Sequence, residues 1–153
     1  MNAPEPARPD PAQLCAFWVG REEYVIDIMR VEEILDVPVI TPVRRAPKFV
    51  EGVINLRGAV IPVVDVRRQL LGDTPAPHAK ERLVLCKLGR TRVALRVDGV
   101  HSIVKAPLDS LRPAALSAKK GTRPHVLGVC TLGTRMLLML DVKALLVERE
   151  PEA

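Results

Sequence analysis

Residues able to do chemistry are few in this chain of 153 residues, and their spacing keeps them apart. Cys15, Cys86 and Cys130 are odd in number and distant from one another, with no CxxC. Structural zinc sites and disulfide frameworks both need closer or paired cysteines, so neither is indicated. His78 and His125 fall in loop-like stretches and His101 in a strand-like one. None has a second His or Cys at ligand spacing, and no HExxH or GxSxG occurs. Glu22-Glu23 and Glu32-Glu33 are neighbours in strand-like runs. Adjacent strand residues point to opposite faces, so neither pair converges on a substrate. The run "GVINLRG" (52–58) has glycines at both ends but lacks the Lys-Ser/Thr of a phosphate loop. These patterns predict no enzyme, no metal and no cofactor.

The elements that hold these residues are short and aliphatic. The chain is 48% hydrophobic but only 3% aromatic, and its core must be built from Val, Leu, Ile and Ala. Strand-like runs follow one another: "LCAFWVG", "EYVIDIM", "VEEILDV", "GVINL", "AVIPVVD", "RLVLCKLG", "TRVALRV", "GVHSIV", "HVLGVCTL" and "RMLLMLDV". Short strands with frequent turns predict small barrels or a sandwich. Pro62 marks an edge or a bulge, since proline cannot donate to a ladder. All three cysteines lie in such runs, which predicts buried free thiols. "GDTPAPHAKER" (72–82) reads as a loop, as does much of 105–124 apart from one helical turn near Leu108–Leu111. Residues 1–12 carry four prolines and are predicted to be a disordered tail, and 148–153 a polar tail. The N-terminus has no apolar core of a signal peptide, and no apolar run reaches the ~18 residues of a membrane helix. The reading is a soluble, cytoplasmic protein.

The net charge of +5 invites a search for anionic partners. Arg44/Arg45/Lys48, Arg67/Arg68, Arg90/Arg92/Arg96 and Lys119/Lys120/Arg123 form separate small groups without interleaved aromatics. A single-strand stacking platform needs such aromatics, so these groups read as solvated surface.

A repeat appears when the chain is laid on itself. In "GREEYVIDIMRVEEI" (20–34), Gly20, Arg21, Ile26, Val31 and Ile34 fall over Gly89, Arg90, Leu95, Val100 and Ile103 of "GRTRVALRVDGVHSI" (89–103). In 52–71, Gly52, Val53, Leu56, Asp65 and Val66 fall over Gly128, Val129, Leu132, Asp141 and Val142 of 128–147. Both matches are gapless and in order. Two equivalent β units follow, near 17–72 and 85–147, each read as a barrel closed by a short helix. Asp65 and Asp141 are the predicted helix caps, and Gly72 closes the first helix.

Asn55-Leu56-Arg57-Gly58 reads as the turn of a hairpin, with Gly58 where positive φ is needed. Arg57 at such a tip is by default a solvated turn residue. In the second unit its place is taken by Gly133, followed by Thr134. The hairpin therefore forms without an arginine, which makes Arg57 a candidate for recognition. Val31 and Ile34 are core residues by default. Left uncovered at an edge, they would receive the apolar face of a partner helix.

Three blocks, "GREEYVIDIMRVEEI", "FVEGVINLRGAVIPVVDVR" and "RPHVLGVCTLGTRMLLMLDVKALL", resemble the CheW coupling proteins of chemotaxis-type signalling, from about Leu14 to Val147. The resemblance implies an all-β fold of two SH3-like five-stranded barrels sharing an aliphatic core. Short helices would follow Asp65 and Asp141, all within a domain spanning 13–147. It implies a non-catalytic adaptor that links the cytoplasmic tip of methyl-accepting chemoreceptors to the regulatory domain of a CheA-type histidine kinase in receptor arrays. Carried over by position, its partner surface is Val31, Glu33, Ile34, Gly52, Arg57 and Gly58, with Arg112 of "LRP" at a ring contact. Relatives place an aromatic soon after "LRP", whereas "AALSAKK" offers only Leu116. An accessory paralogue that binds receptors with weak or no kinase contact is therefore one alternative. A basic small-barrel nucleic-acid-binding protein is the alternative of another class.

Overall fold

The computed structural model describes residues 11–73, 75–113 and 125–146. The predicted tails, apart from Pro11 and Ala12, lie outside these residues, as do Leu116 and the Lys119/Lys120/Arg123 group. Eleven strands are present among the described residues: β1 (Ala12–Val19), β2 (Glu22–Asp27), β3 (Val31–Asp36), β4 (Gly52–Leu56), β5 (Ala59–Asp65), β6 (Arg82–Leu88), β7 (Thr91–Val97), β8 (Gly99–Ala106), β9 (Leu111–Pro113), β10 (Val126–Leu132) and β11 (Arg135–Leu140). An α-helix, α1 (Val66–Leu71), follows β5. Strand β1 begins at Ala12, inside the stretch expected to be a tail.

The strands form two sheets, ordered β8-β1-β2-β11-β10-β9 and β3-β6-β7-β5-β4. Pairing is antiparallel except for β2–β11 and β5–β7, which are parallel. The sheets do not follow the repeat. The first hairpin of each unit, β1–β2 or β6–β7, joins the closing hairpin of the other unit. The expectation that each unit forms its own barrel is thus corrected: the units are equivalent but exchange strands.

Burial explains the exchange. Cys15, Phe17, Val19, Tyr24 and Ile26 of β1 and β2 pack with Val84, Cys86, Val93, Leu95 and Val97 of β6 and β7 in one cluster joining both sheets. The alternate residues Leu14, Ala16 and Val25 pack in a second cluster with Val104, Cys130 and Leu137. Leu83, Leu85 and Ala94 pack in a third with Ile54, Ile61 and Val63. These two hairpins are apolar on both faces, and a unit folded alone would leave one face in water. Each such Val or Leu side chain contributes about 1.5–3 kcal/mol when fully buried. The shared cluster therefore binds the two halves into one body.

The helix caps are as the sequence predicts. The Asp65 carboxylate accepts from the Arg67 N–H at 3.0 Å, and Gly72 closes α1 with φ +73°. The Asp141 carboxylate accepts from the Ala144 N–H at 3.3 Å. The segment that follows it, Lys143–Leu146, is a 3-10 turn rather than an α-helix. A further 3-10 turn at Leu108–Ser110 occupies the predicted helical turn. All three cysteines are buried and free, and burial pushes the Cys86 thiol up to about 12.

Candidate functional site

The β4–β5 hairpin carries the turn singled out by the repeat. Leu56 pairs with Ala59, leaving Arg57 and Gly58 as a two-residue loop with φ values of +49° and +89°. Two consecutive positive φ values are the type I′ pattern that suits the twist of a hairpin. The Asn55 carboxamide oxygen accepts from the Gly58 N–H at 2.9 Å and braces the loop. The left-handed region was expected at Gly58 alone. Arg57 is in it too, a conformation that costs a non-glycine residue on the order of 1 kcal/mol. Gly133, at the equivalent point of the second unit, takes φ +61°. Glycine would thus serve the turn better, and an arginine stands there nonetheless.

Arg57 reaches back across the barrel. Its Nη2 donates to Glu33 Oε2 at 2.6 Å. Strand β3 and the β4–β5 hairpin stand at opposite ends of the sheet order, so this ion pair marks where the sheet curls shut. The hydrogen bond from Arg57 holds the Glu33 carboxyl below its usual range. Beside it Arg92 pairs with Glu32 at 2.9 Å, so the neighbouring glutamates take separate partners, as strand alternation requires. Ile34 is 42% exposed, whereas Val31 is half-buried against the shared cluster.

Gly52 is a different case. It is buried, and a Cβ there would lie 2.5 Å from the Thr41 carbonyl oxygen. Thr41 and Val53 exchange backbone hydrogen bonds of 2.9 and 2.8 Å across this contact. Gly52 therefore offers no surface to a partner, and it lets the 37–51 loop cross the sheet edge. Its repeat mate Gly128 does the same beneath Arg112, whose carbonyl oxygen would be 2.2 Å from an added Cβ. Arg112 is exposed on β9 in the other sheet, apart from the Arg57 group.

Sequence reading missed two polar clusters. Arg67, counted among surface arginines, is fully buried. Its guanidinium donates to Asp65 at 3.0 and 2.9 Å, Glu81 at 2.8 Å and Asp98 at 2.8 Å. Arg96 joins the same network, bonding Glu81 at 2.6 Å and Glu51 at 2.8 Å. His78 closes it on Asp98 at 2.8 Å, and the backbone N–H of Gly20 donates to the other Asp98 oxygen at 2.6 Å. The network ties α1, β7, the 72–81 loop and the β1–β2 turn together beside a cleft of about 370 Å³. Burial pushes the Asp98 and Glu81 carboxyls up. The bonds from His78 and Gly20 to Asp98, from Arg96 and the His78 backbone to Glu81, and from Arg67 outweigh it, leaving both low. The second cluster is Trp18, Glu23, His101 and Arg135 on the first sheet. Glu23 and Arg96 carried a signal, since charged residues interrupting the apolar face of a strand rarely stand there unpaired, whereas Arg67, on α1 beside another arginine, carried none. Among the described residues no group of three His, Cys, Asp or Glu is placed to hold a metal, and no helix is long and apolar enough to cross a membrane.

Two strand-exchanged β units on one aliphatic core, with their distinguishing charges on hairpin tips and strand edges, define a binding scaffold. The chain belongs to the CheW-like domain family, whose pattern matches residues 13–150. It is 32% identical to the chemotaxis protein CheW of Klebsiella aerogenes over 88% of this chain and 81% of that protein. It is 33% identical to the probable chemotaxis protein CheW of Rhizobium etli, covering 92% and 91%. It is also 30% identical to protein FrzA of Myxococcus xanthus, covering 80% and 76%. The crystal structure of the scaffolding protein TtCheW from Thermoanaerobacter tengcongensis superposes with a TM-score of 0.80 at 26% identity, over 88% of this chain and 92% of that one. This agrees with two SH3-like subdomains, and the chain is a CheW-type scaffold of chemotaxis signalling.

Proposed function

We propose that this protein is a non-catalytic adaptor, acting in the cytoplasm at receptor arrays. It couples the cytoplasmic tip of methyl-accepting chemoreceptors to the regulatory domain of a CheA-type histidine kinase. The observation that carries the reading is Arg57, held in a left-handed turn where the equivalent unit uses glycine, within a chain matched to the CheW-like family almost end to end. Backbone strain retained at a position the fold can fill more cheaply points to recognition. In this reading the receptor helix lays its apolar face on Ile34 and the exposed edge of Val31. Arg57, Glu33 and Gly58 form the polar rim. Gly52 supports that surface from beneath, and Arg112 serves the kinase side. Signal passes as a shift in packing between bound states.

Arg57→Gly separates fold from recognition. Glycine relieves the left-handed strain while the lost ion pair is exposed, so stability is expected to change little. Co-sedimentation with a receptor signalling-tip fragment and the kinase regulatory domain should fall at least tenfold, the order of one lost charge-assisted contact. Unchanged co-sedimentation would sink the assignment of Arg57. The same pull-down run with each partner singly tests the function. Retention of the receptor fragment alone would identify an accessory adaptor, a reading favoured by the missing aromatic after "LRP". Retention of neither would overturn the proposal.

A further inference from the structure

Four neighbouring strands of the first sheet, β8, β1, β2 and β11, each contribute one residue to a row: His101, Trp18, Glu23 and Arg135. Glu23 is 7% exposed, and its carboxylate is the hub. It accepts from His101 Nδ1 at 2.6 Å and from Arg135 Nη2 at 2.8 and 3.0 Å. Arg135 Nη2 also stands 3.3 Å from His101 Nδ1. The shorter carboxylate contact sets the tautomer: Nδ1 carries the proton and donates it to Glu23. Nε2 then keeps its lone pair, with no partner among the described residues. The ring is 43% exposed and lies against Trp18 with centroids 5.9 Å apart.

The other two histidines are unlike it. His78 uses both nitrogens, Nε2 toward Asp98 at 2.8 Å and Nδ1 toward the Lys80 N–H at 3.3 Å. His125 is buried at 4% exposure. The repeat supplies a comparison for His101 as well. Its counterpart in the other unit is Glu32, and that of Glu23 is Arg92, which form a plain ion pair of 2.9 Å. The fold is satisfied there by two charges and does not require an imidazole.

An imidazole whose Nδ1–H is anchored on a buried carboxylate, with Nε2 open, is the arrangement that makes histidine a nucleophile. We propose that His101 is a phosphoryl-acceptor site, modified at Nε2 by donors of the phosphoramidate class. The Nε2 lone pair attacks phosphorus as the donor's P–N bond breaks. The donor nitrogen, already protonated in the zwitterion, leaves as ammonia with the bonding pair. The Nδ1 proton stays on the ring, shared with Glu23, whose negative charge balances the imidazolium. The Nε and Nη1 donors of Arg135, which have no partner among the described residues, add favourable charge for the incoming dianion. The product is a labile negative mark on edge strand β8, on the other sheet from Arg57. This inference does not depend on the adaptor reading.

The test incubates the full-length chain with potassium phosphoramidate near neutral pH, followed by intact mass and ³¹P NMR. One acid-labile phosphoryl group is expected on Nε2 of His101. It should form about tenfold or more faster than on N-acetylhistidine, modest beside the 10²–10⁴ typical of positioned acid–base groups. His101→Gln should abolish the label and His78→Gln retain it. ¹⁵N NMR of the unmodified chain should show His101 as the Nδ1–H tautomer. A rate no faster than N-acetylhistidine, a label on His78 or on Nδ1, or an Nε2–H tautomer would each overturn the proposal.

Discussion

Replacing Arg67 by alanine is expected to lower the unfolding free energy by about 3–5 kcal/mol, the usual cost of removing one partner from a buried ion network. That is a large share of the ~5–15 kcal/mol by which a domain is stable. The loss arises because Asp65, Glu81 and Asp98 would remain inside without the guanidinium they share. Arg68→Ala, on the exposed side of the same helix, should change stability by no more than about 0.5 kcal/mol. Urea denaturation of the two variants checks the contrast, and equal effects would show the network to be dispensable.

The pH dependence follows from the same carboxylates. Glu81 and Asp98 have folded-state pKa values below their ordinary 4.5 and 3.8. A depressed carboxyl contributes stability that is present above the unfolded pKa and lost as pH falls through the folded one. The native protein should therefore lose stability progressively below about pH 5. Arg67→Met removes the cation, and burial then favours the protonated carboxyls. The stability gap between native and Arg67→Met should thus be widest near pH 7 and narrow toward pH 4. A gap constant across that range would mean that Arg67 acts through packing alone.

Local pattern revealed ten of the eleven strands described and both helix caps, because each leaves its signal within a few residues, and the duplication showed as two gapless matches; β9, three residues long inside a stretch read as loop, gave no alternation to see. Strand exchange left no such signal. The residues of β1 and β6 that face the shared cluster are apolar, like those facing the barrel interiors, and period-2 reading cannot say which neighbour covers which face. Arg57 was legible because the second copy supplied a comparison, Gly133 at the same place. Arg67 was not. Its repeat mate is Lys143, so the comparison showed two cations and suggested surface. Its partners Glu81 and Asp98 lie 14 and 31 residues away. Glu23, His101 and Arg135 are likewise brought together from distant strands, over 78 and 112 residues.

Gly52 and Gly128 were matched by sequence, but only the fold shows why both are glycine, and substituting them gives the second large effect. An added Cβ at either meets a backbone carbonyl, which cannot turn aside as a side-chain tip can. Gly52→Ala is expected to cost about 1–3 kcal/mol, as overpacking does, by pushing Thr41 off Val53. Gly128→Ala should cost a similar amount by separating Arg112 and Pro113 of β9 from β10. The functional consequences should divide. Loosening the 37–51 loop disturbs the surface beside Arg57, so Gly52→Ala should weaken receptor-fragment binding and raise hydrogen exchange at Thr41 and Val53 together. Gly128→Ala should leave that binding intact and act on whatever contact Arg112 makes. Weakened receptor binding in Gly52→Ala without faster exchange at Thr41 and Val53 would mean that a partner touches Gly52 directly, and the supporting role given to it would be wrong.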